Sequence, residues 1–299
     1  MPSLAHHHSG SLVKMLYMGD SKAGKTSSLI SLVKAGFPIR LQPLDNLLDP
    51  LHALIMHECP DLIDNVEFCT SRDNRKATSE GMVIAGQPRA YVDAVKMLYH
   101  WTYTDEETGE VIDYGPPSEW GPDCILVIDS LSRFCDACYD WRDSLTPKKS
   151  KSGSDYDGRA VFYDAQDRIE GMIAGLTAKK YRTNIILIAH VQYIDMPGGK
   201  KKGFPQGIGK ALSPIIPQYF PSVTLLENKS GERTIYTAST ANVDLANPAR
   251  FRMSEELPAE TGLAEFFRIA RNQPEAKEPA APPAPAPLRR PQTVTTIRR

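Results

Sequence analysis

Three stretches of the chain are apolar at consecutive positions, where a half-buried strand would alternate: "LVKMLYM" at 12–18, "CILVI" at 124–128 and "NIILIA" at 184–189. Short runs of this kind, rich in β-branched residues, predict strands covered on both faces, as in a parallel sheet. Between them the apolar spacing becomes helical. Leu29, Ile30, Leu32 and Val33 give one apolar face, and "PRAYVDAVKMLYHW" gives another, with Pro88 in a first turn and Val92, Val95 and Leu98 on one side. "AVFYDAQDRIEGMIAGLTAKKY" gives a third, with Val161, Ala165, Ile169, Met172 and Leu176 facing the core. Ile39 and Leu41 predict a second strand, followed by a loop carrying Asp45 and Asp49. "TYTDEETGEVIDYG" flanks a Thr-Gly turn with apolar and aromatic residues and predicts a hairpin, an excursion over about 101–120. Strands alternating with helices predict an α/β fold with a mostly parallel, doubly wound sheet, its site at the carboxyl ends of the strands.

Composition sets the limits of this core. The chain has 299 residues, 41% of them hydrophobic, enough for a substantial interior. Residues 1–11, with His6, His7 and His8, read as a flexible segment; a metal-binding histidine cluster is the weaker reading. The core spans 12–270. The Pro/Ala-rich stretch 271–299, ending in Arg289, Arg290, Arg298 and Arg299, lacks the side chains for packing and reads as a disordered tail: a tether for a protein partner, a weak nucleic-acid hook or a solvated end. No run reaches the ~18 apolar residues of a membrane span, and no signal-peptide core opens the chain, so a cytoplasmic location is expected, the host cytoplasm if the chain is phage-encoded. Five cysteines, an odd number, are expected as free thiols; Cys135 and Cys138 form a C-x-x-C with no second ligand pair, which reads as two buried helix positions. A net charge of -1 excludes a uniformly basic surface, so contact with nucleic acid must come from local basic loops.

The chemistry concentrates in "GDSKAGKT", residues 19–26, between the first strand and the first helix. Gly19, Gly24, Lys25 and Thr26 fit G-x-x-x-x-G-K-S/T, the phosphate-binding P-loop. In such a loop the backbone N–H groups of Gly19, Asp20, Ser21, Lys22, Ala23, Gly24, Lys25, Thr26 and Ser27 surround phosphate oxygens. Lys25 reaches the β and γ phosphates, and the Thr26 hydroxyl serves Mg²⁺. The strand 125–128 ends in Asp129, a carboxylate placed to hold the Mg²⁺ shell beside Thr26. The strand at 184 ends in His190 and Gln192, which either sense the γ phosphate or form structural hydrogen bonds. Residues 198–204, "GGKKKGF", combine flexible glycines, the charges of Lys200, Lys201 and Lys202 and the ring of Phe204, a mixture suited to single strands but also to a solvated loop.

In this order the motifs resemble the RecA-like recombinase core over about residues 12–250, and in detail the small RecA-type ATPases of phages that act as single-strand annealing proteins. The resemblance implies ATP as nucleotide and Mg²⁺ as metal. "LDNLLDP" resembles the segment in which a glutamate activates the attacking water: Asp45 falls on that position, one methylene shorter, and Leu48, Asp49 and Pro50 match the rest. "LVIDSL" resembles the family's Walker B strand and "IAHVQ" its polar sensor. The lysine loop at 147–158, with Lys148, Lys149 and Lys151, and the segment "MPGGKKKGFPQGIGKAL" fall where the family's two DNA-binding loops lie. Few residues precede the first strand, so a ring, a dimer or a short assembly stands beside a filament as the expected homo-oligomer. Lys229 and Arg233 lie near the expected subunit boundary, where a cation acting in trans would sit; a solvated hairpin, "ENKSGER", explains them equally well.

The resulting expectation is an ATP-dependent single-stranded-DNA-binding protein of recombination or annealing, an ATPase stimulated by DNA. Two alternatives stand beside it. One is an ATP-bound switch with little turnover that recruits partners through its tail, and the other a helicase-family motor or loader.

Overall fold

The computed structural model describes residues 12–45, 48–104, 108–146 and 157–271. The expected flexible segment 1–11, the tail from residue 272 and the lysines Lys148, Lys149 and Lys151 lie outside the described residues.

The strands are β1 Lys14–Gly19, β2 Ile39–Pro43, β3 Val66–Phe68, β4 Arg75–Thr78, β5 Gly81–Ile84, β6 Trp101–Thr104, β7 Val111–Gly115, β8 Ile125–Asp129, β9 Asn184–Asp195, β10 Lys201–Pro205, β11 Ser222–Lys229, β12 Glu232–Tyr236 and β13 Glu256–Pro258. The α-helices are α1 Ile30–Lys34, α2 Asp49–Glu58, α3 Ala90–Tyr99, α4 Leu131–Leu145, α5 Gly158–Thr177, α6 Gly209–Leu212 and α7 Gly262–Ala270. The main sheet runs β13-β12-β11-β1-β9-β8-β2-β3. Every pairing from β3 to β11 is parallel, and only β12, β13 and β10 are antiparallel. The expected α/β fold, with its mostly parallel sheet, is therefore the one the chain adopts. Hairpins β4-β5 and β6-β7 stand apart as two small sheets, the second being the expected excursion.

The continuous apolar runs have the predicted cause. In β1 the side chains of Leu16 and Met18 enter one core layer with α3, α4 and α5, whereas Met15 and Tyr17 enter the other with α1, α2 and α7. β8 and the first half of β9 divide in the same way. Both faces of the central strands are thus dry, and alternation disappears from the sequence. Arg40 is an exception within β2. Its guanidinium is satisfied by Glu67 at 2.9 Å and lies 4.2 Å and 4.6 Å from the ring centroids of Trp120 and Tyr114, so a buried charge is held by a partner and two aromatic faces.

Several elements differ from the sequence reading. Asp49, expected in a loop, is the first residue of α2, whose Pro50 occupies a first-turn position that requires no N–H partner. In α3 the fully buried face is Ala90, Tyr91, Ala94, Met97 and Leu98; Val92 and Val95 flank it half-buried, because Tyr91 packs edge-on against Phe134. In α5, Ile173 takes the core position expected of Met172. The segment "GGKKKGF", expected as a flexible loop, is largely strand: β10 pairs with the outer half of β9, and only the turn between them stays irregular. Its Gly203 is a packing glycine, since an added Cβ would stand 2.9 Å from both Val191 and Val243. Cys135 and Cys138 are free and buried in α4, as expected.

Candidate functional site

The parallel register brings five strands level at one edge of the sheet, where β1, β2 and β8 end and β9 and β11 run past. Gly19 is opposite His190 and Leu226, Asp129 is opposite Pro43 and Ile188, and Asp45 follows β2 by two residues. P-loop residues, Asp129, His190 and Asp45 therefore meet although they come from four separated stretches of sequence. Gly19 is required there by contact: an added Cβ would lie 2.7 Å from the Leu226 carbonyl oxygen. Gly24 has φ +103° and Lys22 φ +62°, left-handed conformations that curl the loop before α1 begins.

Lys25 is almost completely buried in the mouth of this loop. Its Nζ donates to the carbonyls of Gly19 at 2.9 Å and Asp20 at 2.8 Å, and lies 3.3 Å from His190 Nδ1. Burial pulls the Lys25 ammonium down to about 8, while Asp129, Asp20 and Asp45 oppose that shift. His190 is lowered by burial and by the charge of Lys25, which favours the neutral imidazole, the form that can accept from Lys25. Burial raises Asp129 to about 6, against the pull of the Thr26 hydroxyl. Gln192 follows His190 by two residues, on the same face of β9, and pairs with Phe204 across the ladder.

The Mg²⁺ expectation fits the donors present. Thr26 Oγ1 donates to Asp129 Oδ2 at 2.5 Å, which sets a hydroxyl and a carboxylate side by side at the P-loop. These are hard oxygen ligands of the kind Mg²⁺ takes together with substrate phosphates. Among the described residues no cluster of three His, Cys, Asp or Glu side chains could form an all-protein metal cage. Thr26 and Asp129 are the residues that would hold a Mg²⁺, which would offset phosphate charge there. Lys25, whose charge reaches Asp129, would add a second cation toward phosphate.

A second buried lysine shows that depressed basicity alone does not mark the site. Lys14, lowered to about 7 by burial, donates to the carbonyls of Tyr181 at 2.8 Å and Thr183 at 2.7 Å at the opposite end of β1. It closes the end of the sheet away from the P-loop.

A sequence profile described as an AAA domain, AAA_24, matches residues 11–247. The chain belongs to this AAA-domain family. Its core is accordingly a P-loop ATPase fold, with the loop at 19–27 on the family's matched span. No curated protein matches the chain in sequence. Among solved structures it is similar to the RadB recombinase, at 15% identity over 85% of this chain and 90% of that one, with a TM-score of 0.40. It is also similar to an ATPase of a bacterial type III secretion system, at 13% identity over 72% of this chain and 52% of that one, with a TM-score of 0.38. Among the described residues no helix is long and apolar enough to cross a membrane.

The remaining candidates are more scattered. Lys200 lies in the β9-β10 turn, Lys201 is exposed, Lys202 is ion-paired with Asp244, and Phe204 is half-buried. Lys229 is engaged within its own hairpin, 2.7 Å from Glu227 and 3.1 Å from the Tyr236 hydroxyl. Arg233 lies against Gly24 of its own chain. Sequence reasoning had no local signal for that contact beyond the alternation of "ERTIY", which puts Arg233 on the same face as buried Ile235.

The protonation states set a pH dependence. Lys25 is charged below about 8 and neutral above it, so nucleotide affinity should fall by up to tenfold per pH unit as pH rises past 8. Asp129 is ionised above about 6, so dependence on Mg²⁺ should weaken as pH drops through that value. Calorimetric titration of MgATP between pH 5 and 10 checks both limbs, and an affinity that stays flat above pH 8 contradicts the Lys25 assignment.

Proposed function

We propose that the protein hydrolyses ATP at the P-loop and uses the nucleotide state to control a single-stranded-DNA contact at the β9-β10 ribbon, in recombination or strand annealing. The observation that carries this reading is the path of β9. At its centre His190 touches the phosphate-binding Lys25, and the same strand then continues without a break into the ladder that holds Lys201, Lys202 and Phe204. A shift of His190 toward or away from Lys25 is a shift of the strand on which the basic ribbon is built. Lysines there neutralise phosphates by releasing counterions, and the ring offers a face to any base.

In this reading Asp45 orients the attacking water and acts as general base. It sits close enough to Lys25, Asp129 and His190 to influence the charge of each. A DNA-independent switch is favoured instead if ATP binds without turnover, and a motor if duplexes separate.

Asp45→Asn keeps the size of the side chain and removes its basicity. ATP binding should survive while turnover falls about 10²-fold or more, as for loss of a general base; unchanged single-turnover rates would place the base elsewhere. Replacing Lys200, Lys201 and Lys202 together with alanine should weaken single-stranded-DNA binding and lower the slope of log K against log salt by up to ~0.7 per lost phosphate contact. It should also remove the stimulation of ATP turnover by DNA. Anisotropy titrations across salt, paired with turnover assays, read both effects, and an unaltered slope with intact stimulation would move the DNA site away from this ribbon.

A further inference from the structure

The hairpin β11-β12 runs along the P-loop edge of the sheet, and its register decides what reaches the loop. Leu226 of β11 lies opposite Gly19 on one side and Ile235 on the other. Ile235 is buried in the core layer that also contains Ala23, Leu29 and α1. Arg233, two residues earlier in β12, shares the face of Ile235 and reaches Gly24 of the loop.

Its side chain ends against Gly24. A Cβ built on Gly24 would stand 3.1 Å from Arg233 Nε and 3.2 Å from Cδ and Cζ, so the guanidinium occupies the space that the glycine leaves open. Nε is buried and has no hydrogen-bond partner, and among the described residues no carboxylate forms an ion pair with this arginine. The neighbouring cation is treated differently, since Lys229 is tied to Glu227 and Tyr236. A buried guanidinium N–H without an acceptor is costly unless an anion completes it. The anion that this loop is built to receive is a phosphate chain, and a planar guanidinium fork suits phosphate oxygens.

The geometry points to Arg233 as a phosphate ligand supplied in cis, closing over the nucleotide from the β11-β12 hairpin opposite Lys25. This rests on the reading of residues 19–27 as a triphosphate site. The consequence is that the hairpin, and with it β13, which pairs with β12, is tied to nucleotide occupancy of its own chain rather than a neighbour's.

The test measures ATP and ADP affinity of the full chain by calorimetry for the wild type, Lys25→Ala, Arg233→Gln and Arg233→Lys. Arg233→Gln should lose ten- to a hundredfold in affinity for both nucleotides, and Arg233→Lys, which keeps the charge without the fork, should fall between it and the wild type. The lysine variant also serves as the readout if the glutamine variant does not fold. Loss of binding in Lys25→Ala with wild-type affinity in both Arg233 variants overturns the Arg233 assignment alone. Absence of nucleotide binding by the wild type overturns the triphosphate reading and this proposal with it. A one-to-one mixture of Lys25→Ala and Arg233→Gln should turn over ATP no faster than the two variants measured separately. Recovery of turnover in the mixture would show that the arginine serves a neighbouring chain and would overturn the assignment in cis.

Discussion

A buried lysine holds the site together. Lys25 is enclosed where three strands end, and its charge there is sustained by the carbonyl dipoles of Gly19 and Asp20 and by the carboxylates of Asp129, Asp20 and Asp45. Removing an ammonium from water is unfavourable, and burial accordingly lowers its basicity. The arrangement persists because the parallel sheet holds those partners in register: β1 and β8 end level with one another on either side of β9, whose middle carries His190. Their apolar flanks, buried on both faces, leave the strand ends no freedom to slide. The polar constellation is thus a consequence of the hydrophobic pattern, and the phosphate site is where the dry sheet meets solvent.

What could be read from the sequence divides along the same line. β1, β8 and β9 were visible because burial on both faces writes an unbroken apolar run, and the loop at 19–26 was visible because its glycines and lysine have fixed spacing. The pairing order was not visible. Nothing local indicates that β9 lies between β1 and β8, yet that placement is what brings His190 to Lys25. β10 was read as a loop because its lysines and glycines are poor strand formers; its strand character comes from the free edge of β9, an interaction that no propensity records. α2 is hidden by taking Asp49 as a loop residue, although Asp49 and the Pro50 after it suit a helix's first turn. The position of Arg233 depends on Gly24, far away in sequence, and only the register of two strands connects them.

These features describe a site with two borders. On one side β9 carries His190 from the loop outward to the basic ribbon. On the other, the β11-β12 hairpin carries Arg233 inward to the loop. His190 contacts Lys25 and Arg233 lies against Gly24, so under the proposed function a nucleotide in the P-loop would bear on both. Under the proposed function, a DNA contact on the β9-β10 ladder would share a strand with His190, and its coupling free energy to nucleotide binding would be reciprocal by linkage.

The most direct test of that coupling is amide hydrogen exchange along β9 and β10 with and without a non-hydrolysable ATP analogue. The account predicts that binding at residues 19–27 changes protection at the β9-β10 ladder, over Val191–Asp195 and Lys201–Pro205, as well as at the loop itself. Protection that changes only at the loop, with the ladder unaffected at saturating nucleotide, would contradict it.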